Sequence, residues 1–101
     1  MAISAKMDVN HSNLVINIIG RFDFSSHLDF RKSYEQLDQS PESIEVNMRQ
    51  ATFVDSSALG MLLLLRDFAG GEQAKIKISH CNDDVLQILQ MANFNNLFAI
   101  S

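Results

Sequence analysis

Thr52-Phe53-Val54-Asp55-Ser56-Ser57-Ala58-Leu59-Gly60 follows a strand-like segment and opens a helical one. Two serines and an aspartate therefore stand at a helix N-terminus, where the first backbone N–H groups have no partner within the helix. The local pattern allows two readings. Asp55 or Ser56 can cap the helix by accepting a bond from a first-turn N–H. Equally, a hydroxyl here is reachable from solvent and can gain charge. Ala58, Leu59 and the run Met61-Leu62-Leu63-Leu64-Leu65 make the helix apolar on nearly every side. A helix on one face of a sheet needs a single apolar stripe. Leu62, Leu65 and Phe68 can fill that stripe, which places Met61 and Leu64 nearer the surface. An apolar surface beside an accessible hydroxyl suits a docking site for another protein. In the other reading, neighbouring helices cover these residues.

Outward from this segment, strands and helices alternate. Before it, Ile44, Val46 and Met48 alternate with Glu45 and Asn47, so Ser43 to Met48 reads as a strand and Arg49 to Asp55 as its connection to the helix. The helix runs from about Ser56 to Ala69 and stops at Gly70-Gly71. Ile76 and Ile78, alternating with Lys75 and Lys77, give a further strand. Asn82 caps a third helix, with Asp83 and Asp84 in its electropositive first turn. Val85, Ile88, Leu89 and Ala92 form its buried stripe, and Phe94 to Ile100 is a short tail that docks on the domain. Toward the N-terminus, Ala5 to Val9 reads as an edge strand and Asn10-His11-Ser12-Asn13 as a turn. Leu14 to Ile19 reads as a central strand that ends at Gly20. Ser26 with Asp29 approximates a capping box for a first helix. Its stripe is Phe30, Tyr34 and Leu37, and Gln39-Ser40-Pro41 stops it. The order β-β-α-β-α-β-α plus a tail predicts one α/β domain over 1–101, with helices mainly on one face of the sheet. Strand-helix-strand connections imply parallel pairing.

Composition narrows the function. A chain of 101 residues that is 47% hydrophobic and 20% charged is ordinary for a globular domain. Its net charge is -4, and its eight Lys and Arg residues are scattered. Nucleic-acid binding needs a concentrated basic surface, so it is not expected, and the same deficit weakens an anionic-membrane reading. Cys81 is the sole cysteine, and no Cys or His spacing resembles a zinc site. It reads as a small core residue rather than a redox sensor, and a reduced cytoplasm fits. The N-terminus is too short in apolar residues for a signal peptide. The longest apolar run, Met61 to Leu65, is far below the ~20 residues of a membrane span, so no direct insertion is expected. No Gly-rich phosphate loop or cofactor motif is present.

Asp55-Ser56-Ser57-Ala58-Leu59-Gly60 is similar to the Asp-Ser-Ser-Gly-Leu-Gly signature of STAS-domain anti-sigma-factor antagonists. Phe53-Val54 before it and the leucines after it also match. Gly20-Arg21-Phe22-Asp23 resembles the family's Gly-x-Leu-Asp segment after the second strand. The element order agrees along almost the whole chain. Ala58 replaces the usual glycine, a change that helix propensity favours. The long final helix of many members is expected to be shortened or missing.

The resemblance implies the STAS fold, a mixed sheet with helices packed mainly on one face. It implies a non-enzymatic switch in which Ser56 is phosphorylated. The partner would be an anti-sigma factor or related serine kinase, with a PP2C-type phosphatase reversing the modification. ATP and metal would belong to those partners, and this chain would carry no cofactor. Asp55 would orient the helix start and help place the hydroxyl. Ser57 would be a cap or a secondary contact. Asp23, in a loop the family fold puts near Ser56, would contact the partner, or else serve as a turn or helix-start residue. Met61 would add apolar contact.

Three other readings stand beside this one. Serine catalysis needs a positioned base and an oxyanion site. His11, His27 and His80 show no pairing with an acid in sequence, and no Gly-x-Ser-x-Gly elbow is present. A STAS accessory subunit in a transporter or other assembly, without a phospho-switch, is the main alternative. A ligand sensor lacks a motif.

Overall fold

Residues 2–8, 12–37 and 41–101 are described by the computed structural model. Alternating apolar residues drive the sheet. β2 (Asn13–Phe22) turns Leu14, Ile16, Ile18 and Phe22 to the core, and β3 (Ser43–Val54) does the same with Ile44, Val46 and Met48. Their intervening residues, Val15, Asn17, Glu45 and Asn47, face away and are half-buried. β1 (Ala2–Met7) pairs antiparallel with β2, while β2, β3, β4 (Ile76–Ser79) and β5 (Ala99–Ile100) pair in parallel, giving a five-stranded mixed sheet in the order β1-β2-β3-β4-β5. The helices α1 (His27–Glu35), α2 (Ser56–Phe68) and α3 (Asp83–Met91) pack on the core face. No helix among the described residues is long and apolar enough to cross a membrane.

Several boundaries differ from the sequence reading, and each difference has a physical cause. β3 does not end at Met48. It continues through Arg49 and Gln50 to Val54, because β2 continues alongside it. Register shifts between Asn17 and Ile19 and between Gly20 and Arg21 break the alternation there, so the segment looks like a loop in sequence. Gly20 therefore does not end β2; it lies inside it at φ +84, absorbing the irregularity as only glycine does freely. Ser26 does not cap α1 through its side chain, because a 3-10 turn, Phe24–Ser26, precedes the helix and gives Ser26 helical dihedrals. Its buried hydroxyl lies 3.5 Å from the Arg21 carbonyl instead. The C-terminal tail docks as expected, with Phe94 and Phe98 buried, and adds the fifth strand, whose two residues are too few to show a period. Val9, Asn10, His11, Gln39 and Ser40, which bear on the first strand end, the first turn and the first helix stop, lie outside the described residues.

Other signals translate directly. The Asn82 carboxamide oxygen accepts from the Val85 N–H at 2.9 Å, and its amide nitrogen donates to the Ala51 carbonyl at 3.2 Å, tying α3 to β3. Gly70 adopts φ +115 just past α2. An aromatic series joins β2, α1 and α2: Phe22 to Phe30 at 5.1 Å, Phe30 to Tyr34 at 5.7 Å, and Tyr34 to Phe68 at 4.9 Å between ring centroids. Phe68 sits at the edge of that series and is partly exposed rather than part of the buried stripe. Its place is taken by Ala58 and Met61, which join Leu62 and Leu65 in the core.

Adjacent leucines of α2 thus have opposite fates: Leu65 is 0% exposed and Leu64 57%. Leu65→Ala should cost about 2–5 kcal/mol, the range for emptying a packed site, whereas Leu64→Ala should stay within about 0.5 kcal/mol. Urea unfolding of the two variants checks this, and equal losses would contradict the placement of α2.

Candidate functional site

The parallel strands β2 and β3 end together. Phe22 and Val54 are the last residues in register, and the Asp55 N–H donates to the Phe22 carbonyl at 3.4 Å. The two chain exits are therefore side by side, and each opens a helical turn capped by an aspartate. Asp23 is extended (φ -137°, ψ -170°) and accepts from the Ser25 N–H at 3.1 Å and from the Ser25 hydroxyl. Asp55 is extended in the same way (φ -115°, ψ -175°) and its Oδ1 accepts from the Ala58 N–H at 3.0 Å and the Ser57 hydroxyl at 2.6 Å. Short carboxylate side chains suit this position because they bond a first-turn N–H without leaving extended backbone geometry.

With Asp55 as cap, Ser56 is the first residue of α2. It is exposed, and its hydroxyl makes no hydrogen bond among the described residues. Ser57 is half-buried and its hydroxyl is occupied by Asp55. The two serines, alike in sequence, thus differ chemically: Ser57 belongs to the cap and Ser56 is free. Asp23, Asp55, Ser56 and Ser57 are brought to one mouth. Met61 is not at the surface with them. It is 5% exposed and lies in the floor of an adjoining groove, because the stripe of α2 that faces the sheet includes it.

That groove, about 500 Å³, runs between α1 and α2. Phe24, His27, Phe30, Arg31 and Tyr34 form one wall, and Ser57, Gly60 and Leu64 the other, with Met61 beneath them. Phe24 is 65% exposed and stacks on His27, with centroids 4.2 Å apart; Leu28 and Leu64 are exposed as well. Sequence reasoning missed Phe24 as a surface residue. The available signal was its position two residues beyond Phe22, past the strand end and between polar neighbours. Arg21 was also missed. Its Nε bonds Asp23 Oδ2 at 3.3 Å, and its guanidinium carbon lies 4.2 Å from the centroid of the Phe53 ring.

The remaining chemistry is quiet. Among the described residues no three His, Cys, Asp or Glu side chains gather to hold a metal ion. His27 Nδ1 lies 2.9 Å from the Phe24 carbonyl and His80 Nδ1 3.3 Å from Arg49. Neither is bonded to a serine. Cys81 is half-buried, and that burial pushes its thiol up, away from the reactive thiolate.

The Asp23 carboxyl is held below the usual aspartate value, chiefly by the Ser25 hydroxyl, with help from the Ser25 N–H and Arg21. A lowered folded-state pKa contributes stability above the unfolded value and loses it as pH falls through the folded one. In a carbon-detected NMR titration, Ser25→Ala should move Asp23 upward toward the ordinary aspartate value. An unmoved titration would show that the Ser25 hydroxyl does not hold the carboxylate.

The family model described as "Mlab, STAS domain" matches residues 6–99. A STAS-domain containing protein of Pseudomonas aeruginosa (strain UCBPP-PA14) is 52% identical over 101 residues, covering all of both chains. Among solved structures, the anti-sigma factor antagonist SpoIIAA in its unphosphorylated form superposes with a TM-score of 0.80 at 18% identity, covering 99% of this chain and 88% of that one. A sulfate transporter family protein from Wolinella succinogenes gives 0.75 at 13% identity, covering 93% and 80%. The two superpositions show a shared fold, and the SpoIIAA match extends over nearly the whole chain. On the family model and the full-length relative together, this chain belongs to the STAS-domain family.

Proposed function

We propose that this protein is an anti-sigma-factor antagonist. Unmodified, it binds an anti-sigma factor or a related regulatory protein; phosphorylated on Ser56, it releases it. The observation that carries this reading is the free, exposed Ser56 hydroxyl at the start of α2, beside an apolar groove. The fold shared with SpoIIAA, an anti-sigma factor antagonist, supports the assignment. The kinase is the anti-sigma factor or a related ATP-binding serine kinase. The Ser56 oxygen attacks the terminal phosphorus of ATP on that partner, ADP departs, and the hydroxyl proton passes to a base of the kinase. A PP2C-type phosphatase hydrolyses the ester, returning serine and inorganic phosphate. The cycle runs in the bacterial cytoplasm and bears on transcription through the partner, with no chemistry performed by this chain.

The physics favours release over unfolding. A phosphate adds about -1.5 to -2 charges at neutral pH. The N–H groups of Ser56 and Ser57 face the modified end of α2 and attract an anion, so the fold tolerates it. Asp55 and Asp23 repel it. The larger cost falls on the complex, where a covering partner must desolvate a dianion or supply cations. A penalty of ~3–4 kcal/mol would weaken binding a few hundred-fold.

The similarity to a sulfate transporter family protein favours a second reading, a STAS accessory subunit without a switch. A pull-down from native lysate with Ser56→Ala and Ser56→Asp, joined to mass analysis of the native protein, separates the two. The antagonist reading expects a protein retained by Ser56→Ala and lost from Ser56→Asp, with phosphate on native Ser56. Equal capture by both, or a membrane assembly recovered with no phosphate, contradicts it. Leu64→Ser, on the groove rim, should weaken capture about tenfold while leaving stability unchanged, as expected for an exposed apolar contact. Undiminished capture would remove the groove from the interface.

A further inference from the structure

Both side chains that cap the paired strand exits are carboxylates, so a phosphate on Ser56 would arrive beside Asp23 and Asp55. Arg21 is the cation already bonded at this mouth. It is paired in register with Phe53, one residue before the terminal Phe22–Val54 pair, and Ser56 opens α2 two residues after Val54. Its side chain is 62% exposed and is held by a single Nε contact of 3.3 Å to Asp23 and by the face of the Phe53 ring at 4.2 Å.

We propose that Arg21 receives the phosphate of Ser56, turning from Asp23 to the new dianion while its guanidinium stays on the Phe53 ring. The proposal rests on the reading of Ser56 as phosphoacceptor and names how the modification is read within the chain. The exchange is favourable in kind. A guanidinium offers five N–H donors in a fixed fork, and its present contact with Asp23 uses one of them. A phosphate has three acceptor oxygens and more charge than a carboxylate, so a forked pair replaces a single bond. Phe53 acts as a pivot, because the ring face holds the cation without fixing which anion it meets. Arg21 is exposed, so the turn disturbs no core packing.

The consequence reaches beyond Ser56. Asp23 keeps its bonds from Ser25 but loses its counter-ion when Arg21 leaves. Phosphorylation then changes two neighbouring points of the docking surface at once: a dianion appears at Ser56 and a neutralised carboxylate becomes an uncompensated one. A partner that contacts Asp23 is discouraged at both.

The test uses the full chain carrying phosphoserine at position 56, installed genetically so that no kinase is needed. The phosphorus-31 shift is followed through the second phosphate ionisation, which lies near pH about 6 when unperturbed. The charged groups at the two strand exits are Arg21 at the end of β2, Asp23 capping the 3-10 turn and Asp55 capping α2. The carboxylates raise this ionisation and Arg21 lowers it. Arg21→Gln should raise it by about half a unit or more, and Arg21→Lys should recover part of that shift, since it keeps the charge and loses the fork. Coincident titrations for the parent and Arg21→Gln overturn the proposal. If Arg21→Gln perturbs the fold, the Arg21 Nε–H resonance of the parent serves instead. It should move with the phosphate titration, and a resonance indifferent to it is equally fatal. Neither result depends on whether cells phosphorylate Ser56, which native mass analysis decides separately.

Discussion

The late register between β2 and β3 is the constraint on which the site depends. Had the two strands parted at Met48, Asp23 and Asp55 would leave the sheet at different levels. Pairing carries on through Ile19–Gln50, Gly20–Ala51 and Arg21–Phe53 to Phe22–Val54, and closes with the Asp55 N–H on the Phe22 carbonyl. A glycine at positive φ lets β2 follow an irregular partner without breaking the ladder. The buried residues of this stretch, Phe22, Ala51 and Val54, anchor it in the core. The mouth of α2 is thus set by the sheet, through the β2–β3 ladder and the Asp55 N–H bond that closes it.

That arrangement separates the residues that hold the helix start from the exposed hydroxyl. Asp55 takes the Ala58 N–H and the Ser57 hydroxyl, so the Ser56 side chain has no part in the cap. A side chain with no part in the cap can be modified at little cost to stability. The apolar groove beside it follows from similar economy. α1 and α2 need aromatic contact only through Phe30, Tyr34 and Phe68, and α2 presents Gly60 where the helices part. The open space leaves Phe24 and Leu64 uncovered next to the hydroxyl. An exposed hydroxyl and an exposed apolar surface therefore lie at adjacent points of the molecule.

Much of this was legible in the sequence, for reasons that differ by element. The alternation of Ile44, Val46 and Met48, the cap Asn82 and the stop at Gly70 depend on local periodicity or local hydrogen bonding, which the chain writes in adjacent residues. The extension of β3, the 3-10 turn before α1 and the fifth strand depend on partners distant in sequence, so local pattern misreads them. Met61 and Phe68 exchanged roles for a related reason. A helix apolar all round does not announce which face meets the sheet, and side-chain packing decides. In the site, the aspartates and serines were visible as residue types, whereas the division between Ser56 and Ser57 required the geometry of the cap. Arg21 carried no signal in sequence, since its importance lies in a cross-strand neighbour, Phe53, thirty-two positions away.

The central claim is that Ser56 can change charge while the scaffold stays in place. It is tested most directly by comparing amide spectra of the chain with serine and with phosphoserine at position 56. Shifts confined to the strand exits around residues 21–25 and 53–59, with the amides of Ile16, Val46 and Ile78 unmoved, are what this account predicts. Changes spread through those core strands would mean that the modification works by remodelling the fold, and the account would be wrong.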